Sequence, residues 1–167
     1  MTESILSNKK ILAVDDEPDV LSLLEEEILE ACPNCKIDKA TTYESATKML
    51  ESQPYDLVIL DIMGVRGFDL LNLAVKRNLR VAMLTAHALS PENLKRSFDL
   101  MARAYLPKEK LGEIVPFLED VLKYEYKPGW KRLLEKLKGY FDENFESDWE
   151  KKTGLNWQEW GKFSGMQ

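Results

Sequence analysis

A chain of 167 residues, 44% hydrophobic and 31% charged, has room for one well-cored domain and an extension, and its composition is that of a globular protein. No apolar run approaches the ~20 residues that span a bilayer, so no membrane association is expected. Residues 1–126 hold 15 Lys/Arg against 22 Asp/Glu, and residues 127–167 hold 8 against 7. Neither part has the basic excess on which binding to a phosphate backbone draws, so no DNA partner is expected.

The opening Met1-Thr2-Glu3-Ser4-Ile5-Leu6 lacks a basic stretch followed by a long apolar core. No signal peptide is expected, and the cytoplasm is the expected location. The first strand is predicted over residues 10–14 and runs straight into Asp15 and Asp16. Pro18 suits the first turn of a helix, whose apolar face is Val20, Leu21, Leu23, Leu24, Ile28 and Leu29. Cys32-Pro33-Asn34-Cys35 reads as a turn that holds two thiols. A metal or redox role would call for partners, and the chain has no other cysteine and only one histidine, His87. A weaker strand is predicted over 35–40 and a helix over 43–53, stopped by Pro54.

Residues 56–60 form a third apolar strand that ends at Asp61. Gly64 and Gly67 mark a loop before a helix carrying Leu70, Leu71, Ala74 and Val75. Residues 80–84 make a fourth strand, ending at Thr85. Ser90-Pro91-Glu92 reads as a cap and first turn of a helix running to about Met101. A fifth strand, 103–106, precedes Lys108. A helix is predicted over 111–125, with Pro116 tolerable only in its first turn. Five strand–helix units in succession imply a doubly wound α/β fold with a parallel sheet.

Tyr126-Lys127-Pro128-Gly129 is expected to break this pattern. Trp130, Leu133, Leu134, Leu137, Phe141 and Phe145 then recur at helical spacing, predicting a helix over 130–146 that is weakened at Gly139. Ser147-Asp148-Trp149-Glu150 has the form of a capping box for one more turn. Every tryptophan lies in this tail. So large an apolar stripe is expected to be covered, by the rest of the chain or across a two-fold interface.

A carboxylate at the tip of a buried strand is costly unless it has a use. In a parallel sheet, ligands bind beyond the carboxyl ends of the strands. There this chain delivers Asp15, Asp16, Asp61, Thr85 and Lys108. Neighbouring carboxylates repel unless a cation bridges them, and hard oxygen ligands suit Mg²⁺. With a hydroxyl donor and a fixed ammonium, these are the parts that stabilise a transferring phosphoryl group, and an aspartate can itself be the nucleophile.

The stretches Ile11-Leu12-Ala13-Val14-Asp15-Asp16-Glu17-Pro18, Asp56-Leu57-Val58-Ile59-Leu60-Asp61, Leu84-Thr85-Ala86 and Tyr105-Leu106-Pro107-Lys108 occur in this order. Together they resemble the receiver domain of two-component response regulators. The resemblance implies a flavodoxin-like (βα)5 fold over residues 1–126 with a helical, Trp-rich C-terminal extension over 127–167. It implies that Asp61 is the phosphoacceptor and that Asp15 and Asp16 hold Mg²⁺ together with Asp61 and the backbone carbonyl of Met63. Thr85 and Lys108 would bind phosphoryl oxygens, and Tyr105 would change rotamer with Thr85 when the site is charged.

The implied donor is a sensor histidine kinase or a histidine phosphotransfer protein. The output would be a downstream protein or a self-dimer, reached through the face of the fourth helix, fifth strand and fifth helix or through the C-terminal helix. Such a chain is a phosphoacceptor switch rather than an enzyme, beyond catalysing its own phosphorylation and dephosphorylation. His87, two residues after Thr85, reads as a solvated loop residue or as a group near the phosphoryl site.

The chain also departs from the receiver pattern. Asp61-Ile62-Met63-Gly64-Val65-Arg66-Gly67 lacks the usual proline and shortens the path to Gly67. The usual Lys-Pro order is inverted as Pro107-Lys108, so the cis peptide that commonly follows that lysine is not expected. Two other functions fit parts of the pattern. The tail could be a nucleic-acid-binding output, although it lacks a basic stripe. The chain could be a Mg²⁺-dependent aspartyl-phosphate phosphatase, although the Asp-x-Asp after a first strand is missing.

Overall fold

The structure is a computed structural model that describes residues 3–155 and 157–160. Five parallel strands are ordered β2-β1-β3-β4-β5. They are β1 (Lys10–Val14), β2 (Lys36–Ala40), β3 (Leu57–Asp61), β4 (Arg80–Thr85) and β5 (Ala104–Pro107). β3 is buried at every position, which explains its unbroken apolar sequence, whereas the edge strand β2 is buried only at Ala40 and reads weakly. Strand order reverses at β1, so the crevice for a ligand opens at the carboxyl ends of β1 and β3.

The helices that follow are α1 (Pro18–Ala31), α2 (Tyr43–Ser52), α3 (Gly67–Lys76), α4 (Pro91–Asp99) and α5 (Ile114–Lys123). Ser90 caps α4 by accepting the Asn93 N–H at 3.0 Å, with Pro91 in the first turn as expected. α4 stops at Asp99, two residues short of the expected Met101, which adopts a φ of 75°. A 3₁₀ helix over Lys108–Glu113 precedes α5, so Pro116 falls in the first turn, where the missing N–H costs nothing. Cys32 and Cys35 are free, buried thiols between α1 and β2. Cys35 donates to the Leu6 carbonyl at 2.8 Å, and burial together with Cys32 pushes its thiol up to about 12. They serve as small apolar core residues.

The tail forms α6 (Tyr126–Asn144), α7 (Trp149–Thr153) and a 3₁₀ turn (Trp157–Glu159). α6 starts at Tyr126, so the segment expected to break the pattern is its first turn. Pro128 is tolerated there for the same reason as Pro116. The helix runs unbroken through Gly139. The expected capping box is not made. Asp148 stands at the start of α7 without a side-chain cap, and the Trp149 N–H bonds the Glu146 carbonyl at 3.0 Å instead.

The apolar stripe of α6 is spent on the chain itself. It lies against α5 and β5, and α7 lies against α4. Trp130, Leu134 and Phe141 are completely buried, and Trp149 nearly so. The Trp130 indole donates to the Ala102 carbonyl at 2.8 Å and meets the Phe98 ring edge-on at 5.4 Å. Tyr126 donates to the Phe98 carbonyl. Arg132 and Lys136 pair with Asp120 of α5 at 3.3 and 2.8 Å. Indole burial on this scale contributes several kcal/mol before entropic costs, and the tail shares one hydrophobic core with the sheet. None of the described helices is long and apolar enough to cross a membrane.

Candidate functional site

Parallel register sets the site. Val14 pairs with Leu60, Asp61 with Leu84 and Thr85 with Pro107. The residues at and just beyond these strand ends are therefore level with one another: Asp15 and Asp16 after β1, Asp61 closing β3, Thr85 closing β4 and Lys108 after β5. Ile11–Val14, Leu57–Leu60, Val81–Leu84 and Ala104–Leu106 are buried apolar runs, and each carries the polar group that follows to a fixed height in the crevice.

One carboxylate oxygen from each of Asp15, Asp16 and Asp61 lies within 4.8 Å of the others. Asp15 and Asp61 are buried, 1% and 5% exposed, while Asp16 faces solvent. Asp15 Oδ1 accepts the Glu17 N–H at 2.9 Å, whereas Asp15 Oδ2 receives no directed hydrogen bond. The Lys108 ammonium answers this charge. It stands 2.8 Å from Asp15 Oδ2, 3.2 Å from Glu17 Oε1 and 3.4 Å from Asp61 Oδ1. Burial works against that ammonium, but Asp15, Asp61 and Glu17 outweigh it and hold its pKa above the ordinary lysine value.

Asp61 titrates unusually. Burial first, and the Asp15 carboxylate second, push it up to about 6 despite the nearby Lys108. A buried carboxylate, crowded by a second one and short of donors, is a group that a bound cation stabilises. An all-oxygen donor set of three converging carboxylates, with a single ammonium against them, suits a hard divalent cation.

The short loop after Asp61 solves a steric problem. Gly64 has a φ of +86°, and a Cβ there would stand 2.4 Å from Asp16 Oδ2. A proline, whose ring fixes φ negative, has no place at this position. A Cβ on Gly67 would lie 2.1 Å from the Asp61 carbonyl oxygen, so α3 begins in direct contact with the backbone of the third strand. Arg66 turns the loop with a φ of 55° and lays its guanidinium 4.0 Å from the centre of the Tyr43 ring. Met63, two residues after Asp61 in this loop, is about half exposed.

Thr85 is buried, and its Oγ1 accepts the Ala88 N–H at 3.0 Å. Tyr105 is completely buried. Its hydroxyl donates to the Ala88 carbonyl and accepts the Ser90 N–H, each at 2.9 Å. Burial raises the phenol pKa, so the proton stays on at neutral pH. The Ala88 carbonyl also receives the Asn93 amide at 2.9 Å. His87 is exposed in the same loop and makes no polar contact among the described residues.

The structure thus gathers Asp15, Asp16, Asp61 and Lys108 into one cluster and sets Thr85 on the strand beside Asp61. Three participants escape a sequence reading. Glu17 shares Lys108, Gly64 makes room for Asp16, and Ala88 joins Thr85 to Tyr105. Only Gly64 leaves a signal, as one of the two glycines that mark the loop after Asp61.

Comparison with known proteins agrees with this geometry. The response regulator receiver domain family matches residues 11–118. The two-component response regulator ARR18 of Arabidopsis thaliana is 41% identical over 85 residues, which are 47% of this chain and 13% of that protein, so only a small part of that relative is represented here. A CheY-like response regulator receiver domain protein from Methanospirillum hungatei JF-1 is 24% identical with a TM-score of 0.59, covering 70% of this chain and 98% of that one. The NtrX receiver domain from Brucella abortus is 26% identical with a TM-score of 0.60, covering 69% and 99%. A Thermotoga maritima response regulator, at 16% identity and a TM-score of 0.62, shares the fold over 70% of this chain and 99% of its own. With its strand-end acidic cluster, its parallel five-stranded sheet and a family match over most of its length, the chain belongs to the response regulator receiver domain family.

Proposed function

We propose that this chain accepts a phosphoryl group on Asp61 and passes the signal on through its own conformation. The observation that carries this reading is the convergence of Asp15, Asp16, Asp61 and Lys108 at the strand-order reversal. With a pKa of about 6, Asp61 is largely ionised at neutral pH and presents a nucleophilic oxygen. That oxygen forms a bond to phosphorus, and the P–N bond of a phosphohistidine donor breaks as imidazole leaves with the electron pair. With a small donor such as acetyl phosphate, a P–O bond breaks and acetate leaves.

Lys108 is already paired with Asp61 and offsets the charge that the new phosphate adds. Because Thr85 Oγ1 accepts from Ala88, its own proton is free to donate to a phosphoryl oxygen. Asp15, Asp16 and Asp61, with the Met63 carbonyl, would hold Mg²⁺, which supplies charge neutralisation at the phosphoryl oxygens. Residues 1–126 act as the receiver and 127–167 as its extension. The donor is a histidine kinase or phosphotransfer protein.

Intact-mass analysis with Mg²⁺ and acetyl phosphate tests the reading. Wild type gains one phosphoryl group and Asp61→Asn gains none. A wild type that stays at its starting mass contradicts it.

A further inference from the structure

The C-terminal extension reaches the reaction site through an unbroken path. Phe141 of α6 lies against Tyr105, ring centres 6.3 Å apart, and both side chains are completely buried. The position of Phe141 is itself fixed by Phe145, stacked at 4.8 Å, and by Trp149, edge-on at 5.5 Å. Tyr105 in turn ties down the loop between β4 and α4 at two points, the Ala88 carbonyl and the Ser90 N–H. The Ala88 N–H then occupies a lone pair of Thr85 Oγ1. With that acceptor position filled, the hydroxyl proton of Thr85 is directed elsewhere.

A donor oriented in advance is worth more than one that must be ordered during the reaction, because no reorganisation is needed as charge develops. Any outward swing of the Tyr105 ring, moreover, has to displace Phe141.

We propose that the α6–α7 extension is a positioning element for phosphoryl transfer: Phe141 holds Tyr105, Tyr105 holds the Ala88 loop, and the loop orients the Thr85 hydroxyl toward the phosphoryl group on Asp61. This rests on the reading of Asp61 as phosphoacceptor. The extension accelerates the chemistry of the receiver without touching the reactants.

The test uses the full chain, Mg²⁺ and acetyl phosphate. Tyr105→Phe keeps the ring and its packing but removes both hydrogen bonds to the loop. It slows phosphorylation at saturating acetyl phosphate by about tenfold, the worth of one such bond. Phe141→Ala slows it to a similar degree, while Phe141→Leu, which refills the space, recovers most of the rate. In all three variants the Mg²⁺ dissociation constant and the half-saturating acetyl phosphate concentration stay within about twofold of wild type, because the acidic cluster is off the path. The double variant Y105F/F141A is no slower than the worse single variant by more than about twofold, whereas independent effects would multiply.

Tyr105→Phe at the wild-type rate overturns the proposal, and this variant decides the matter even where Phe141→Ala fails to fold. Multiplicative losses in the double variant overturn it as well. A wild type that takes up no phosphoryl group brings down the phosphoacceptor reading itself. A phosphorylated wild type with unaffected variants brings down only the role of the extension.

Discussion

Asp16 occupies the space in which Gly64 would carry a side chain. A Cβ built on Gly64 stands 2.4 to 2.7 Å from all three atoms of the Asp16 carboxyl group, at a backbone φ of +86°. The shortened loop and the acidic cluster are therefore one arrangement. Where the receiver pattern has proline, this chain needs the only residue that both adopts the turn and leaves room for the carboxylate.

Gly64→Ala is accordingly expected to weaken Mg²⁺ binding by at least about tenfold, the usual cost of disturbing a group that positions a ligand. The strained φ adds a stability loss of roughly 1 kcal/mol. Calorimetric titration with Mg²⁺ reads the first effect and thermal melting the second. Binding at wild-type affinity in the alanine variant would show that Asp16 is not held by this contact.

Mg²⁺ affinity should also depend on Asp16 itself and on pH. Asp16→Ala removes one of three converging oxygens and is expected to reduce affinity strongly. In wild type, protons compete for Asp61, whose pKa lies at about 6. Affinity then falls as pH drops through that value, and binding near it releases the proton that Asp61 holds. Titrations at pH 5 and pH 7.5 that give the same dissociation constant would refute the assignment of Asp61 as a ligand.

The raised value of Asp61 carries a stability cost of its own. The folded state holds this proton more tightly than the unfolded chain, whose aspartate titrates near 3.8. Between those two values the native state binds more protons, so metal-free stability declines as pH rises from about 4 to about 6 and levels off above. Two pKa units correspond to at most about 3 kcal/mol. Asp61→Asn removes the charge, so in chelator-treated buffer at pH 7 it should melt higher than wild type and lose that pH dependence. A lower melting temperature for the asparagine variant at pH 7 would show that Lys108 already compensates the buried charge in full.

Signal lifetime is expected to turn on Met63. It lies two residues after Asp61 and is half-exposed, and its apolar thioether cannot orient a water for attack on phosphorus. Met63→Asn supplies an amide that can. Loss of radiolabelled phosphoryl group from the asparagine variant should be several-fold faster than from wild type. An unchanged decay rate would remove Met63 from the control of hydrolysis.

The site was legible in the sequence for a physical reason. Buried parallel strands read as apolar runs, and a carboxylate, hydroxyl or ammonium at the end of such a run stands out against them. Asp61, Thr85 and Lys108 each close or follow one. What lies between the strands was less visible. That Ala88 links Thr85 to Tyr105 depends on two backbone groups, which carry no sequence signal. The start of α6 at Tyr126 was hidden by Pro128, a helix breaker in the interior that is harmless in a first turn. The stripe from Trp130 to Phe145 announced that it would be covered. Whether a second copy or the chain itself would cover it depended on the partner surface of α4, β5 and α5, which periodicity in α6 cannot specify.

Because the chain covers its own stripe, the tail is expected to behave as part of the core. Trp130 and Trp149 are almost wholly shielded from water and Trp157 nearly so. The emission of the full-length protein should therefore be blue-shifted at concentrations where light scattering reports a monomer. Trp130→Ala deletes the indole that fills the space beside Phe98 and leaves the Ala102 carbonyl without its donor. Truncation of a buried aromatic costs about 3–5 kcal/mol, a large part of the stability of a domain of this size. Denaturant unfolding of the variant should show that loss in one cooperative transition shared with the sheet. A variant that unfolds at the wild-type midpoint, or a water-like emission spectrum from the intact chain, would mean that α6 is not docked in solution and that its apolar face is held ready for another molecule.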